Sequence, residues 1–295
     1  MNPAFRYACV CRGDQMLGEW GYPDLCLDQR PVYSITKSVV SLLLGIWLKD
    51  HPQFSVDSLL APTLNLPNHC DERWHRLSVR HILTQCSGLK WHEMGVTWGP
   101  KNPLWVMEEQ SSNWVEHVLQ TPFSTEPGRH FMYNSGASHL LTHWMQANMN
   151  QDLFQYAQTQ LFEPLGISMA HDAGIKWLKS PQGVISGGKG LLCSGPDLMA
   201  MAKMVAAGGV ALGRQIVPYQ WLDQCLQVQH RGHHLYGQYG YQWWIHENHI
   251  AAAMGFGGQF MLIHRELGIA GVYLRDNQNT DPMAALEHFK MQIKA

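Results

Sequence analysis

The chain is poor in charge: 15% of its 295 residues are Asp, Glu, Lys or Arg, and the formal net charge is -2. Nucleic acid and anionic membranes select a basic face, so neither is expected as a partner. Long apolar runs are also missing. The longest stretch, Val39 to Leu48, is broken by Ser41 and Gly45 and is too short to span a bilayer. The seven cysteines are an odd number without a CxxC pair, which predicts reduced thiols rather than a disulfide framework. No HExxH or Cys/His zinc spacing occurs among the seventeen histidines, so no metal is expected, and no organic cofactor is called for. His230, His233, His234, His246 and His249 read as solvated loop residues. Residues 1 to 11 lack the basic start, apolar centre and small-residue cleavage site of a secretory leader. A cytoplasmic location is therefore expected, or a periplasmic one if the natural chain is processed.

What the chain does have is length and apolar content. With 45% hydrophobic residues it can bury a large core, as two domains or as one with an insertion. Arg6 to Val10 and Met16 to Trp20 read as strands joined by the Arg12-Gly13-Asp14 turn, and Gly21-Tyr22-Pro23-Asp24 closes that unit. Cys9 and Cys11 share a strand face as small apolar fillers. A helix follows from Ser34 to Lys49, apolar on every side and hence central. Ser78 to Cys86, Asn113 to Gln120, Ala137 to Met149, Asp152 to Phe162 and Pro196 to Ala207 read as further helices. Short strands are expected at Tyr239 to Ile245, His249 to Met254, Gln259 to His264 and Ile269 to Leu274. Pro282 to Ile293 is a final helix with Leu286, Phe289 and Ile293 on one stripe. Strands at both ends and helices between predict an α+β fold: an antiparallel sheet domain from residues 1–33 and 181–295, and a mainly helical domain from 34–180.

Chemistry enters at Ser34-Ile35-Thr36-Lys37. Residues three apart share a helix face, so Lys37 sits one turn above Ser34. A serine hydroxyl needs a neighbouring base, and a lysine whose pKa is lowered by burial can serve. The helix N-terminus adds partial positive charge where an oxyanion would develop. The spacing alone is weak. It recurs at Ser87/Lys90 and Ser186/Lys189, and Ser34 could simply cap its helix. Only the first occurrence opens a long buried helix.

Three further segments give the tetrad a context. Leu83-Thr84-Gln85-Cys86-Ser87-Gly88-Leu89, Pro127 to Ser135 and Gly255-Phe256-Gly257-Gly258-Gln259 follow in order. With Tyr33 to Ser38 they resemble the penicillin-recognising serine hydrolases, in particular the branch of class C β-lactamases, DD-peptidases, family VIII esterases and 6-aminohexanoate-dimer hydrolases. The resemblance runs from about Arg6 to the C-terminus. It implies the β-lactamase/transpeptidase-like fold, with the active site between the two domains. It implies Ser34 as nucleophile and Lys37 and Tyr133 as proton carriers, without choosing the first base. It implies an oxyanion hole from the backbone N–H groups of Ser34 and Gln259. The strand near Phe256 to Gln259 would pair with an extended substrate. Ser135, Phe256, Gly257, Gly258 and Trp91 would meet the substrate, and His92 and Trp98 share the loop of Trp91.

The sequence also departs from that family. Ser135 replaces the usual Asn of the tyrosine motif, as it tends to in the 6-aminohexanoate-dimer hydrolase branch, and Asn134 should point elsewhere. Phe256 stands where a Lys or His would meet a carboxylate, and a phenyl ring cannot bind an anion. A small neutral ester or amide, or a short peptide-like molecule, is therefore favoured over a β-lactam or cell-wall peptide. Lys189 lies in a glycine-rich turn, Gly187 to Gly190, that is expected to lead back to the sheet. The chain also starts at the first strand, where relatives place a covering helix. Either the C-terminal helix or a second copy in a homo-oligomer covers that face, or the true start lies upstream. A true β-lactamase or DD-peptidase, and a non-catalytic binding member of the fold, are the competing readings.

Overall fold

A computed structural model describes residues 5–22, 26–167, 174–276 and 283–294. The expected start of the last helix at Pro282, and Pro23-Asp24 of the segment that closes the first hairpin unit, lie outside these. Strand β1 (Tyr7–Arg12) turns at Gly13 into β2 (Gln15–Gly21) with a bulge after Val10. Strand β3 (Arg30–Pro31) leads into helix α1 (Ile35–Lys49), in which all residues from Ile35 to Trp47 are buried. Helix α5 (Ser135–Met149) packs against it, and α2 (Val79–Leu83), α3 (Pro103–Gln110), α4 (Trp114–Leu119) and α6 (Leu153–Ala157) pack against α5. Strands β4 (Lys176–Trp177) and β5 (Leu191–Cys193) join β3 in a small sheet of order β3-β5-β4. Helix α7 (Gly195–Ala206), the ribbon of β6 (Val210–Ala211) and β7 (Arg214–Gln215), and helix α8 (Tyr219–Cys225) come next. Strands β8 (His230–His233), β9 (Gly237–Tyr239), β10 (Trp244–His246), β11 (Ile250–Gly255), β12 (Gln259–His264) and β13 (Ile269–Leu274) precede helix α9 (Ala284–Lys294).

The main sheet is antiparallel, in the order β2-β1-β13-β12-β11-β10-β9-β8, so both ends of the chain build it. Alternation along the strands separates two cores. Cys9, Met261, Ile263, Val272 and Ala253 join the core of α1 and α7. Val10, Phe260, Leu262, Tyr273 and Ile250 pack with Leu286 and Phe289 of α9 on the other face. Helix α9 therefore covers that face, and Gly271 has no side chain where the Phe289 ring sits. Trp243 and Trp244 divide between the two cores, as neighbours on an extended chain do.

Several expected elements change shape. The run Tyr239 to Ile245 is two strands, because Gln242 at φ 66° reverses the chain between β9 and β10. The helix from Ser78 ends at Leu83, since Gln85 is also left-handed, at φ 58°. Asp152 to Phe162 is α-helical only to Ala157 and then widens into a π turn. His230 and His233 lie on β8 rather than in a loop, and His230 stacks on Phe131 with ring centroids 5.7 Å apart. The seven cysteines are free thiols.

Candidate active site

Tyr33, at φ 48°, delivers the chain into α1 from a left-handed conformation. The N–H groups of Ile35, Thr36 and Lys37 turn back onto the carbonyls of Val32, Tyr33 and Ser34 at 3.0–3.2 Å. Ser34 makes no side-chain cap bond, which removes the plain capping role and leaves its hydroxyl to Lys37 and Tyr133. Lys37 is 1% exposed. Its Nζ lies 3.2 Å from Ser34 Oγ, 2.8 Å from Ser135 Oγ and 2.7 Å from the Gly188 carbonyl oxygen. Burial pulls the amine from 10.5 down to about 8, against the smaller upward pull of Glu93 and Glu108.

Tyr133 completes the trio. The Lys37 amine stands over its ring at 4.5 Å, and the ring stacks on Trp244 at 5.8 Å and 18°. Burial drives the phenol pKa up, while a hydrogen bond with the Ser34 side chain draws it back in part. Gln85 holds the backbone on both sides of this tyrosine. Its carbonyl accepts from the Met132 N–H at 2.8 Å and its side-chain oxygen from the Asn134 N–H at 2.6 Å. The Gln85 amide in turn donates to Ser138 and to Gln242, each at 3.1 Å. Asn134 points away from Lys37, as expected, and caps α5 by accepting from the Ala137 N–H at 2.7 Å.

Three site residues escape a sequence reading. Gly188 belongs to the turn expected to be purely structural, yet its carbonyl meets Lys37, and a Cβ there would lie 2.6 Å from Ser135 Cβ. Gln85 was visible only as one letter of a family segment. Glu93 accepts from the Ser135 hydroxyl at 2.6 Å, the Ser135 N–H at 3.0 Å and the Trp91 indole N–H. Its one signal is its place two residues after Trp91. Two expected substrate contacts are corrected by these bonds. Trp91 is 2% exposed and supports Glu93 from below; Ser135 is 1% exposed, and its hydroxyl is spent on Lys37 and Glu93. Trp98 does reach the surface, 47% exposed, with the Lys189 amine 3.8 Å from its ring centre. Lys189 pairs with the buried Glu108 at 2.6 Å, so Ser186/Lys189 is an accident of spacing; Ser87 is buried while Lys90 is exposed, so that pair is one too.

The third segment differs from its expected form. Phe256, Gly257 and Gly258 make the turn between β11 and β12, the glycines at φ 78° and 84°, so they are not a strand to which substrate could add. The open backbone edge lies just before them: β10 begins only at Trp244, opposite Ala252, while β11 runs on to Gly255. Phe256 is 61% exposed and meets the Tyr33 ring edge-on at 5.7 Å. Gln259 opposes Gly255 in the hairpin register, and its side-chain amide bonds to the backbone of Arg275 at 3.0 and 3.1 Å. A cavity of about 120 Å³ opens between Tyr33 and Phe256, with Arg30 and Asp276, already paired to each other, on its wall.

The family model described as Beta-lactamase matches residues 29–293. Among curated proteins none matches this chain. Solved structures do. One, assigned as a 6-aminohexanoate-dimer hydrolase from Bacillus anthracis, superposes with a TM-score of 0.81 at 14% identity, covering 99% of this chain and 79% of its own. A penicillin-binding protein from Bacillus halodurans gives 0.73 at 15% identity, covering 96% of both chains. EstCE1, described as a hydrolase with promiscuous acyltransferase activity, gives 0.70 at 15% identity, covering 98% and 92%. At such identities the likeness to each structure is one of fold.

Proposed function

Since this chain belongs to the beta-lactamase family, we propose that it is a serine hydrolase that splits an ester or amide through an acyl-enzyme on Ser34. The observation that carries this reading is the buried Lys37 amine, 3.2 Å from the Ser34 hydroxyl and held by two other groups. In the free enzyme Lys37 is the first base. Its pKa near 8 leaves a neutral fraction at physiological pH, whereas burial keeps the Tyr133 phenol protonated. Ser34 Oγ attacks the substrate carbonyl carbon as its proton passes to Lys37 Nζ. The oxyanion forms at the open end of α1, toward the Ser34 N–H and, as the second donor, that of Gln259. As the bond to the leaving group breaks, the proton reaches that group through Tyr133. Water then attacks the acyl carbon, and Ser34 regains its proton as the acid is released.

The substrate class follows from the rim. Phe256 is an exposed aromatic on the cavity beside Tyr33, and Arg30 next to it is already paired with Asp276. An apolar, uncharged group fits against the Phe256 ring better than a carboxylate does. A fluorophosphonate probe is expected to add one phosphonyl group to the wild type at Ser34, and none to Ser34→Ala. Short-chain p-nitrophenyl esters are expected to turn over faster than nitrocefin. A folded wild type that stays unlabelled would sink this reading, and dominant nitrocefin turnover would replace it with that of a β-lactamase.

A further inference from the structure

We propose that Glu93 is a positioning residue that sets the direction of the hydrogen-bond chain Glu93–Ser135–Lys37, so that the lysine lone pair faces Ser34. The proposal rests on the acyl-enzyme reading above and adds a residue to it. A carboxylate can only accept hydrogen bonds. Glu93 Oε1 therefore takes the single proton of the Ser135 hydroxyl, at 2.6 Å, while its other oxygen takes the N–H groups of Ser135 and Trp91. With its proton committed, Ser135 Oγ can only accept from Lys37, at 2.8 Å. The Gly188 carbonyl, at 2.7 Å, can also only accept. A neutral lysine has two N–H bonds and one lone pair. Both N–H bonds are thus consumed, and the lone pair is left for the third neighbour, the Ser34 hydroxyl at 3.2 Å. The chain can run in one direction only because it ends on a group that has no proton to give.

The isosteric variant Glu93→Gln reverses it. Two backbone or indole N–H groups fix where the new amide oxygen must lie, so the amide NH₂ faces Ser135 Oγ. Ser135 then accepts from Gln and donates to Lys37, occupying the lone pair that Ser34 needs. A role of Glu93 through charge alone gives the opposite result. Glu93 and Glu108 raise the Lys37 pKa and Lys189 lowers it, and Tyr133 is the other ionisable group against the amine. Removing the Glu93 charge would leave more neutral lysine and more activity at low pH.

The test measures kcat and KM for a p-nitrophenyl ester between pH 6 and 9.5 in four proteins: wild type, Glu93→Gln, Ser135→Ala and the double variant. Expected for Glu93→Gln is a kcat roughly 100-fold lower at every pH, the lower end of a positioned general base's contribution, with KM little changed. Adding Ser135→Ala removes the misdirected donor, so the double variant is expected to be more active than Glu93→Gln alone. Equal kcat in Glu93→Gln, a gain confined to low pH, or a double variant no better than the single one overturns the proposal. So does a Glu93→Gln chain that cannot fold, since the carboxylate would then be holding the loop together. A wild type that never acylates at Ser34 is a separate result, which removes the acyl-enzyme reading itself.

Discussion

Lys37 touches two hydroxyls and a carbonyl, and no carboxylate. Burying a cation among neutral groups costs stability, and the lowered pKa measures that cost. Below about pH 8 the amine is protonated in both the folded and the unfolded chain, and the full penalty applies. Between about 8 and 10.5 the folded chain has released the proton while the unfolded chain still holds it, so stability rises with pH across that window. A gap of this size corresponds to about 3 kcal/mol. Lys37→Met, similar in length, is therefore expected to be inactive yet at least as stable as the wild type at pH 7. It should lack the wild type's gain in unfolding free energy from pH 8 to 10, as read by urea denaturation. A variant destabilised by several kcal/mol with the pH slope intact would contradict this. Ser34 and Lys37 could be read from the sequence because their relation is one helical turn. Glu93 could not, because it meets Ser135 through a hydroxyl forty-two residues away along the chain.

Elements hold the site through bends that helix and strand patterns do not reveal. Gln85 and Gln242 are buried, left-handed and bonded to each other, and between them they end α2, split β9 from β10 and hold the backbone around Tyr133. A glutamine gives no turn signal in a sequence, which is why a longer helix and a single strand were expected there. The small sheet of β3, β5 and β4 was missed for a different reason: strands of two or three residues are too short for alternation to show. Glycine at 188 is a requirement of packing rather than of φ, because the turn presses against the first residue of α5. Gly188→Ala is expected to push the turn off Ser135 and withdraw a hydrogen-bond partner from Lys37. A loss of kcat/KM of roughly tenfold or more is expected, with a lower Tm, since overpacking of this kind typically costs about 1–3 kcal/mol. Unchanged kinetics and Tm would show that the turn has room to move.

Across the whole molecule the layering was legible and the convergence at the site was not. Alternating strands at both ends and one helix apolar all round require a sheet with helices packed on it. The sheet's outer face, which needs a cover, has α9 against it. Which loops would meet at the mouth of α1 came from family likeness, and that likeness located the segments better than it described them: the Phe256 segment is a turn, and Trp91 is a support beneath Glu93. The account stands on Lys37 acting as the base toward Ser34, and the burst of p-nitrophenol released as a short-chain ester acylates the enzyme measures that step directly. Its rate is expected to rise with pH and level off above about 8, and Lys37→Arg, which stays charged, should show no burst. A burst rate independent of pH, or one that survives Lys37→Arg, would contradict it.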